Sequence, residues 1–275
     1  MGQKGYKEIT LLGQNVDSYL WYGGGLKKDF ENASAMEQAA AIDFAQLLEM
    51  VALAQPQMRI RFSTSNPQDM TTEVLYAMTK HDNICNHIHL PVQSGSSRIL
   101  KEMNRLHTRE EYMALIDTVR SILPDCGISQ DMIIGFPTET EQDHQDTLSL
   151  MDYVKYDFGF MFMYSERPGT MAARKMEDDV PDAVKKQRLS EIIQRQREHS
   201  AYRTKQFLSK TVEVLIEKES KKSAQHWSGR TPQNTVVVFP KEHYQPGDFV
   251  MVQIDDCTSA TLIGTPLSFS ETQNA

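Results

Sequence analysis

The segment LPVQSGSSRILKEMNR (Leu90–Arg105) decides the fold, because it joins two kinds of regular structure through a short polar turn. An apolar run that begins at Ile84 ends at Pro91, and the apolar side chains from Ile99 to Met103 then follow helical spacing. A strand, a tight loop and a helix in this order form the repeating unit of parallel α/β sheets and barrels.

The loop of this unit is a candidate binding site, since loops at the carboxyl ends of strands form the sites of such folds. It carries Gln93, Ser94 and Ser96, followed by the free backbone N–H groups of a helix start. A carboxylate or a phosphate is favoured at such a helix N-terminus. The segment therefore predicts half of a cofactor site.

The length, composition and net charge are those of an ordinary globular protein, long enough for one large and one small domain. Of the 275 residues, 40% are hydrophobic and 24% are charged, and the net charge of −8 excludes only a wholly basic protein. No apolar run approaches the roughly 20 residues that span a bilayer, and no secretory signal pattern is present. The three cysteines are far apart and odd in number, which suits a reducing cytoplasm. We expect a cytoplasmic protein with no membrane partner.

Five strand-like runs alternate with helical patterns in the first part of the chain. They open at Lys7, Arg59, Ile84, Ile128 and Asp157. Among the helical patterns, one continuous amphipathic helix is predicted over 36–53. This order indicates an α/β fold, either a (β/α) barrel or an open sheet. Because a complete eightfold barrel needs about 250 residues, we predict a partial, TIM-like barrel over 1–180 that lacks its first strand.

Two further segments follow this barrel. The residues 181–208 predict one connecting helix with seven basic and three acidic side chains, either a solvated face or a surface that touches RNA phosphates. Short strands at close spacing over 209–268 predict a small all-β barrel of the OB-like class. Trp227 lies among Lys218, Lys221, Lys222 and Arg230, which is either an RNA-binding face or an ordinary surface cluster.

The residues that follow the predicted strands share one chemical character. They are Gln14 and Asn15, Ser65 and Asn66, Gln93 to Ser96, Gly135 and Phe136, and Ser165 to Arg167. Amides, hydroxyls and glycines dominate, and the side chains of general acid–base catalysis are few. This composition favours a cofactor that brings its own reactivity. We predict no catalytic side chain and no metal ligand here, and His87, His89 and Asp131 are as well explained by structural roles.

Five motifs, taken in chain order, resemble the radical-SAM methylthiotransferase family. They are LLGQNV (11–16), HLPVQSGS (89–96), IIGFP (133–137), RPGT (167–170) and SGRT (228–231). The resemblance implies a radical-SAM barrel followed by a TRAM domain. It is greatest to the branch that methylthiolates isopentenylated adenosine beside the anticodon of tRNA. The alternatives are a branch that acts on a ribosomal protein or on another tRNA adenosine.

The family resemblance also implies two 4Fe-4S clusters, one of them in an N-terminal domain. The barrel cluster is held by a Cys-x-x-x-Cys-x-x-Cys motif expected before Lys7, and this sequence does not contain it. The spacing of Cys85, Cys126 and Cys257 cannot replace the motif locally. We therefore expect the last two-thirds of such an enzyme, a monomer that is inactive alone and depends on a missing N-terminal cluster domain and on an electron donor.

Site residues follow from the resemblance by position. S-adenosylmethionine would be held at its methionine amino end by Gly13, Gln14 and Asn15, at its carboxylate or ribose by Gln93, Ser94 and Ser96, with Arg105 as a further carboxylate contact, and at its adenine by the backbone of Gly135 and Phe136. The tRNA anticodon stem-loop would be met by Lys221, Lys222, Arg230 and Asn234.

Two other classes of protein remain open at this point. A non-radical barrel enzyme of phosphate or aldolase type should carry a lysine or a metal set at the strand ends, and none is seen. A TRAM-based RNA-binding fragment without catalysis would show salt-dependent RNA binding and nothing else.

Overall fold

A computed structural model describes residues 5–267 of the chain. Its strands are β1 (Glu8–Leu12), β2 (Leu20–Trp21), β3 (Ile42–Asp43), β4 (Arg59–Ser63), β5 (His87–His89), β6 (Gly127–Ile134), β7 (Phe158–Met163), β8 (Thr211–Ser220), β9 (Ser223–Arg230), β10 (Val236–Pro240), β11 (Phe249–Cys257) and β12 (Thr261–Pro266). Its helices are α1 (Ala35–Ala39), α2 (Phe44–Ala54), α3 (Thr72–Lys80), α4 (Ser97–Glu102), α5 (Arg109–Ile122), α6 (Glu141–Val154), α7 (Met171–Lys175) and α8 (Asp182–Lys205).

Five parallel strands form a curved wall in the order of the chain. β1 pairs with β4, and β5, β6 and β7 pair in turn. The two groups are joined where the N–H of Ile60 donates to the carbonyl of Asn83 at 2.8 Å and the N–H of Cys85 to that of Ile60 at 2.8 Å. The predicted α/β class and the five strands are confirmed. Among residues 5–267, β1 and β7 do not pair with each other, so the wall is open.

The helices cover the outer face of this wall. Leu48, Leu75, Leu150 and Ile192 from four different helices are fully buried in one core with the outward side chains of the strands. Their burial stabilises the fold by roughly 1.5–3 kcal/mol for each large apolar side chain. The capping box of α5 is present, with Thr108 bonded to the N–H of the third helical residue.

The single helix predicted over 36–53 is wrong, because the structure breaks it into α1 and α2. Between them β3 pairs with β2, Ile42 lying opposite Trp21. Asp43 then caps α2 by accepting a bond from the N–H of Gln46 at 2.9 Å. A side chain that caps a helix start competes with continuation of the preceding helix.

The C-terminal strands close into a small barrel in the order β10-β12-β11-β8-β9. Its core holds Val214, Val237, Phe239 and Leu262, which are shielded from solvent completely. The predicted all-β barrel is confirmed, and position 268 of its predicted range lies outside the described residues. Within the predicted connecting segment 181–208, α8 spans Asp182–Lys205.

Two arginines from the start of β4 fasten this small barrel to the wall, and we call Arg59 and Arg61 the arginine latch. Arg59 donates to the carbonyl of Arg230 at 2.6 Å and to the carboxylate of Glu213 at 2.8 Å. Arg61 donates to the carbonyl of Thr231 at 2.9 Å. Both arginines are buried, and a buried guanidinium without acceptors is costly. The small barrel therefore sits at the amino ends of the strands, opposite the predicted site.

Within the described range, no helix combines the length and the apolar character needed to cross a membrane.

Candidate functional site

The carboxyl ends of the strands meet at one edge of the wall, which we call the carboxyl rim. The N–H of Gly13 donates to the carbonyl of Ser63 at 3.1 Å, and the N–H of Ser65 to that of His89 at 3.2 Å. The N–H of Gln93 donates to the carbonyl of Asp131 at 2.9 Å. The structure therefore brings the three predicted loops after β1, β5 and β6 to the same rim.

The loops after β1 and β4 hold a group of buried oxygen atoms that lack hydrogen-bond donors. Asn15 donates from Nδ2 to Asp69 at 2.6 Å. Its Oδ1, both carboxylate oxygens of Asp17 and the hydroxyl of Ser65 have no partner among residues 5–267. Asp17 is only 6% exposed, and burial raises its pKa to about 7. Since buried polar atoms are normally paired, these oxygens suit a ligand that brings N–H donors.

Sequence reasoning singled out Gly13, Gln14 and Asn15 of the loop after β1 but missed Asp17. Gly13 and Gln14 are exposed at the rim, whereas Asn15 is half-buried. The available signal was an acidic residue inside a buried turn, two positions beyond Asn15.

The loop after β5 is held in place by its own hydroxyls. The hydroxyl of Ser96 donates to Asp143 at 2.6 Å and accepts from the N–H of Ile99 at 3.4 Å, which caps α4. The hydroxyl of Ser94 accepts from the N–H of Ser96 at 3.2 Å. Burial alone would raise the pKa of Asp143, but hydrogen bonds, the largest from Arg98, hold it well below its usual range. The two serines thus shape the loop around Gln93.

Gln93 has a φ of 70°, in the left-handed region. Its N–H and carbonyl continue the sheet by bonding to Asp131 and Ile133, each at 2.9 Å, so its side chain is placed where the regular strand has ended. Arg105 follows α4, is exposed, and its guanidinium has no acceptor among the described residues. Beside it, His107 is buried and its Nε2 lacks a partner within the same part of the chain.

Side chains of α8 contact the loop after β6 and hold it in place. Gly135 has a φ of 70°, and a Cβ there would lie 2.3 Å from Cγ of Lys185. The N–H of Gly135 donates to the carboxylate of Glu139 at 3.0 Å, and Arg188 donates to the same oxygen at 3.0 Å. The structure thus explains the glycine by Lys185, with no ligand needed. Phe136 is buried with its ring 5.2 Å from that of Tyr164.

The inner face of the wall encloses a cavity of about 400 Å³. His87 and His89 both bond the hydroxyl of Ser129, at 3.1 and 2.9 Å, and His89 lies 3.6 Å from Asp131. Burial lowers the pKa of His87 to about 3, so this ring is neutral. The inner face therefore carries a fixed polar network, as expected for structural histidines. The predicted RNA-binding Arg230 and Asn234 also line this cavity, at its lower end.

The described residues do not suit an iron–sulfur cluster. Cys85 and Cys126 are buried, and burial raises their thiol pKa values to about 11 and about 12. Cluster ligands are thiolates, which this burial disfavours. No group of three or more histidine, cysteine or acidic side chains in the structurally described range could hold a metal ion.

The predicted RNA-binding residues form two pairs on the small barrel. Lys221 and Lys222 are exposed at the tip of the β8–β9 hairpin. Arg230, at its other end, donates to the carbonyl and side chain of Asn234 at 3.1 Å. Both lysines and Arg230 line one groove of about 500 Å³. Trp227 is half-buried, and Nζ of Lys241 lies 4.2 Å from the centroid of its ring. Its place in an RNA-binding face or in an ordinary surface cluster is not tested by this contact and stays a prediction.

Comparisons with known proteins agree with this architecture. The model of the Radical SAM superfamily matches residues 1–151, and that of the TRAM domain matches residues 205–267. The chain is 69% identical over 271 residues to a protein of Christiangramia forsetii named tRNA-2-methylthio-N(6)-dimethylallyladenosine synthase, covering 98% of this chain and 56% of that protein. A protein of the same name from Flavobacterium psychrophilum is 68% identical over 268 residues, again covering 98% and 56%.

The chain thus spans about half the length of the curated relatives it matches. Among solved structures, coproporphyrinogen III oxidase from Escherichia coli, a radical SAM enzyme, is 16% identical, with a TM-score of 0.48 over 70% of this chain and 52% of that one.

Proposed function

The chain belongs to the Radical SAM superfamily and carries a TRAM domain, and from this premise we propose that it is the cofactor- and RNA-binding part of an enzyme that methylthiolates isopentenylated adenosine next to the anticodon of tRNA. The observation that carries the proposal is the identity of 69% with a protein named for this reaction on tRNA. That name also favours tRNA over a ribosomal protein as the substrate.

At the carboxyl rim, the residues available for S-adenosylmethionine have matching chemistry. The unpaired oxygens of Asn15 and Asp17 suit the ammonium group of the methionine part, because they lack donors. The free guanidinium of Arg105 suits the carboxylate, while Gly13, Gln14, Gln93 and the loop of Ser94 and Ser96 surround the same rim. Gly135 and Phe136 complete the proposed adenine side of the site.

When bound, S-adenosylmethionine supplies the radical and the methyl group of such reactions. The described residues provide binding and positioning, since no ligand set for a cluster occurs among them. We propose that the ligands of the two 4Fe-4S clusters lie in the part of such enzymes that this chain does not span, and that a separate electron donor reduces the clusters. The monomeric state and the cytoplasmic location stay predictions.

On the small barrel, Lys221 and Lys222 would contact the phosphates of the anticodon stem-loop. Each neutralised phosphate releases a counterion, so affinity falls as salt rises. We expect Lys221→Ala and Lys222→Ala each to reduce the salt slope of stem-loop binding by about 1. The control is Lys80→Ala, an exposed lysine of α3, which should leave the slope unchanged. Equal slopes in all variants would refute the proposed RNA face.

A second candidate function, RNA binding without catalysis, is favoured by the lack of cluster ligands within residues 5–267. Calorimetric titration with S-adenosylmethionine separates the two. Binding to the wild-type chain that is lost in an Arg105→Ala variant supports the cofactor site. A chain that binds the stem-loop but no S-adenosylmethionine supports the RNA-binding module.

A further inference from the structure

Two phenylalanines on the last strand of the wall are exposed without an evident structural reason. Phe160 is 54% exposed and Phe162 is 52% exposed. Met161 between them packs into the core on the outer face, so strand alternation turns both phenyl rings to the inner face. In the described part of the chain, β7 has β6 as its only strand partner. Phe160 lines the cavity of the inner face, and Phe162 lies two positions further along the same face of β7.

The position of these rings along the wall is given by the strand register. Phe160 lies opposite Asp131 and Phe162 opposite Ile133. These two residues of β6 are the ones bonded to the backbone of Gln93. The rings are therefore level with the proposed cofactor loop, at the height where a substrate would have to meet the cofactor.

Hydrogen-bonding side chains lie beside the ring of Phe160. The ring of His89 lies 6.3 Å from that of Phe160 in an edge-to-face arrangement, and its Nε2 is 3.6 Å from Asp131. A ligand seated here would meet hydrogen-bonding groups on one flank and two apolar rings on the other. A cavity of about 400 Å³ is within the usual range for small-molecule sites.

We propose that Phe160 and Phe162 form an apolar wall that receives the five-carbon N6 substituent of the target adenosine and so discriminates prenylated from unprenylated adenosine. The inference rests on the proposed function, since the substituent is taken from the name of the relatives. A branched C5 group is apolar and carries no hydrogen-bonding atom, so aromatic rings can bury it while the base edge faces His89 and Asp131.

The test uses two free nucleosides, N6-dimethylallyladenosine and adenosine, whose affinities for the chain are measured by ligand-observed NMR. We expect the wild-type chain to prefer the prenylated nucleoside by at least about tenfold, as hydrophobic pockets discriminate a few methylene groups. The Phe160→Ala/Phe162→Ala variant should reduce this ratio to about 1 while keeping the affinity for adenosine. The leucine pair Phe160→Leu/Phe162→Leu should retain a preference.

The matched control is Tyr76→Ala, which removes an aromatic ring that is 59% exposed on α3, away from the cavity. It should keep the wild-type ratio. A ratio unchanged in the double alanine variant overturns the proposal, and so does a wild-type chain that does not discriminate, including one that binds neither nucleoside.

The nucleoside test needs neither RNA nor S-adenosylmethionine, so the two proposals fail separately. Loss of stem-loop binding with intact nucleoside preference rejects the tRNA function and leaves the proposed role of Phe160 and Phe162 intact. Stem-loop binding without nucleoside preference rejects only the proposed role of Phe160 and Phe162.

Discussion

The buried carboxyl group of Asp17 gives the sharpest prediction of the structure. Replacing it by the isosteric amide, Asp17→Asn, removes an ionisable group while keeping the shape and the burial of the side chain. Burial raises the pKa of Asp17 from 3.8 to about 7, because shielding from water outweighs the opposing effect of the Ser65 hydroxyl and nearby backbone groups. We therefore expect the variant to be more stable than the wild type, and increasingly so as the pH rises.

The magnitude follows from the difference in proton affinity between the folded and unfolded chains. The folded state binds the proton more tightly, so wild-type stability is highest at low pH and is lost as the pH rises from about 4 through 7. At about 1.4 kcal/mol for each pKa unit, the charge costs roughly 2 kcal/mol at pH 5 and about 4 kcal/mol at pH 8. Asp17→Asn should recover these amounts.

The assay is urea unfolding monitored by circular dichroism between pH 5 and pH 8. The control is Asp29→Asn, which removes an exposed carboxyl group in the same part of the chain and should not change the pH dependence. Parallel stability curves for the wild type and Asp17→Asn over this pH range would refute the argument that Asp17 is forced to ionise in a site shielded from water.

Two further predictions concern the supports of the site and of the small barrel. Gly135→Ala should lower the free energy of unfolding by about 2–4 kcal/mol, because the new Cβ combines a left-handed φ with overlap onto Lys185. The control Gly169→Ala, where nothing lies within 4 Å of the new Cβ, should cost only about 1 kcal/mol. Equal losses of stability in thermal unfolding would contradict this reasoning. Arg59→Met/Arg61→Met should split calorimetric unfolding into two transitions, since buried acceptors at the contact lose their donors. The control Arg197→Met, at an exposed position of α8, should leave a single transition. A single unshifted transition in the double variant would show that the latch does not couple the wall to the small barrel.

The regular elements were predictable because their patterns are local. The buried strand β6 and the capping box of α5 each depend on residues a few positions apart, which is where periodicity and capping rules apply. The interruption between α1 and α2 was not predictable in this way. The alanine-rich stretch before Asp43 continues a helical pattern, and the pairing of Ile42 with Trp21 together with the cap by Asp43 overrides it.

The convergence of the candidate loops was predictable from the sequence, whereas the contacts of individual atoms were not. The three loops with Gly13, Gln93 and Gly135 do converge on one rim. The sequence could not show that the hydroxyl of Ser96 is occupied by Asp143. Nor could it show that Trp227 lies under Lys241. Such pairings depend on contacts between distant parts of the chain, for which a single sequence holds no local signal.

The arginine latch is the extreme case, since Arg59 and its acceptor carbonyl on Arg230 are 171 positions apart. It has a mechanical consequence for the proposed tRNA reaction. Rotation of the β8–β9 hairpin would separate the two buried guanidinium groups from their acceptors. The latch therefore fixes the distance between the hairpin and the inner cavity. In the proposed reaction, the nucleotide that enters the cavity would be selected by its distance from the phosphates bound at Lys221 and Lys222. Such selection requires no contacts with the neighbouring bases.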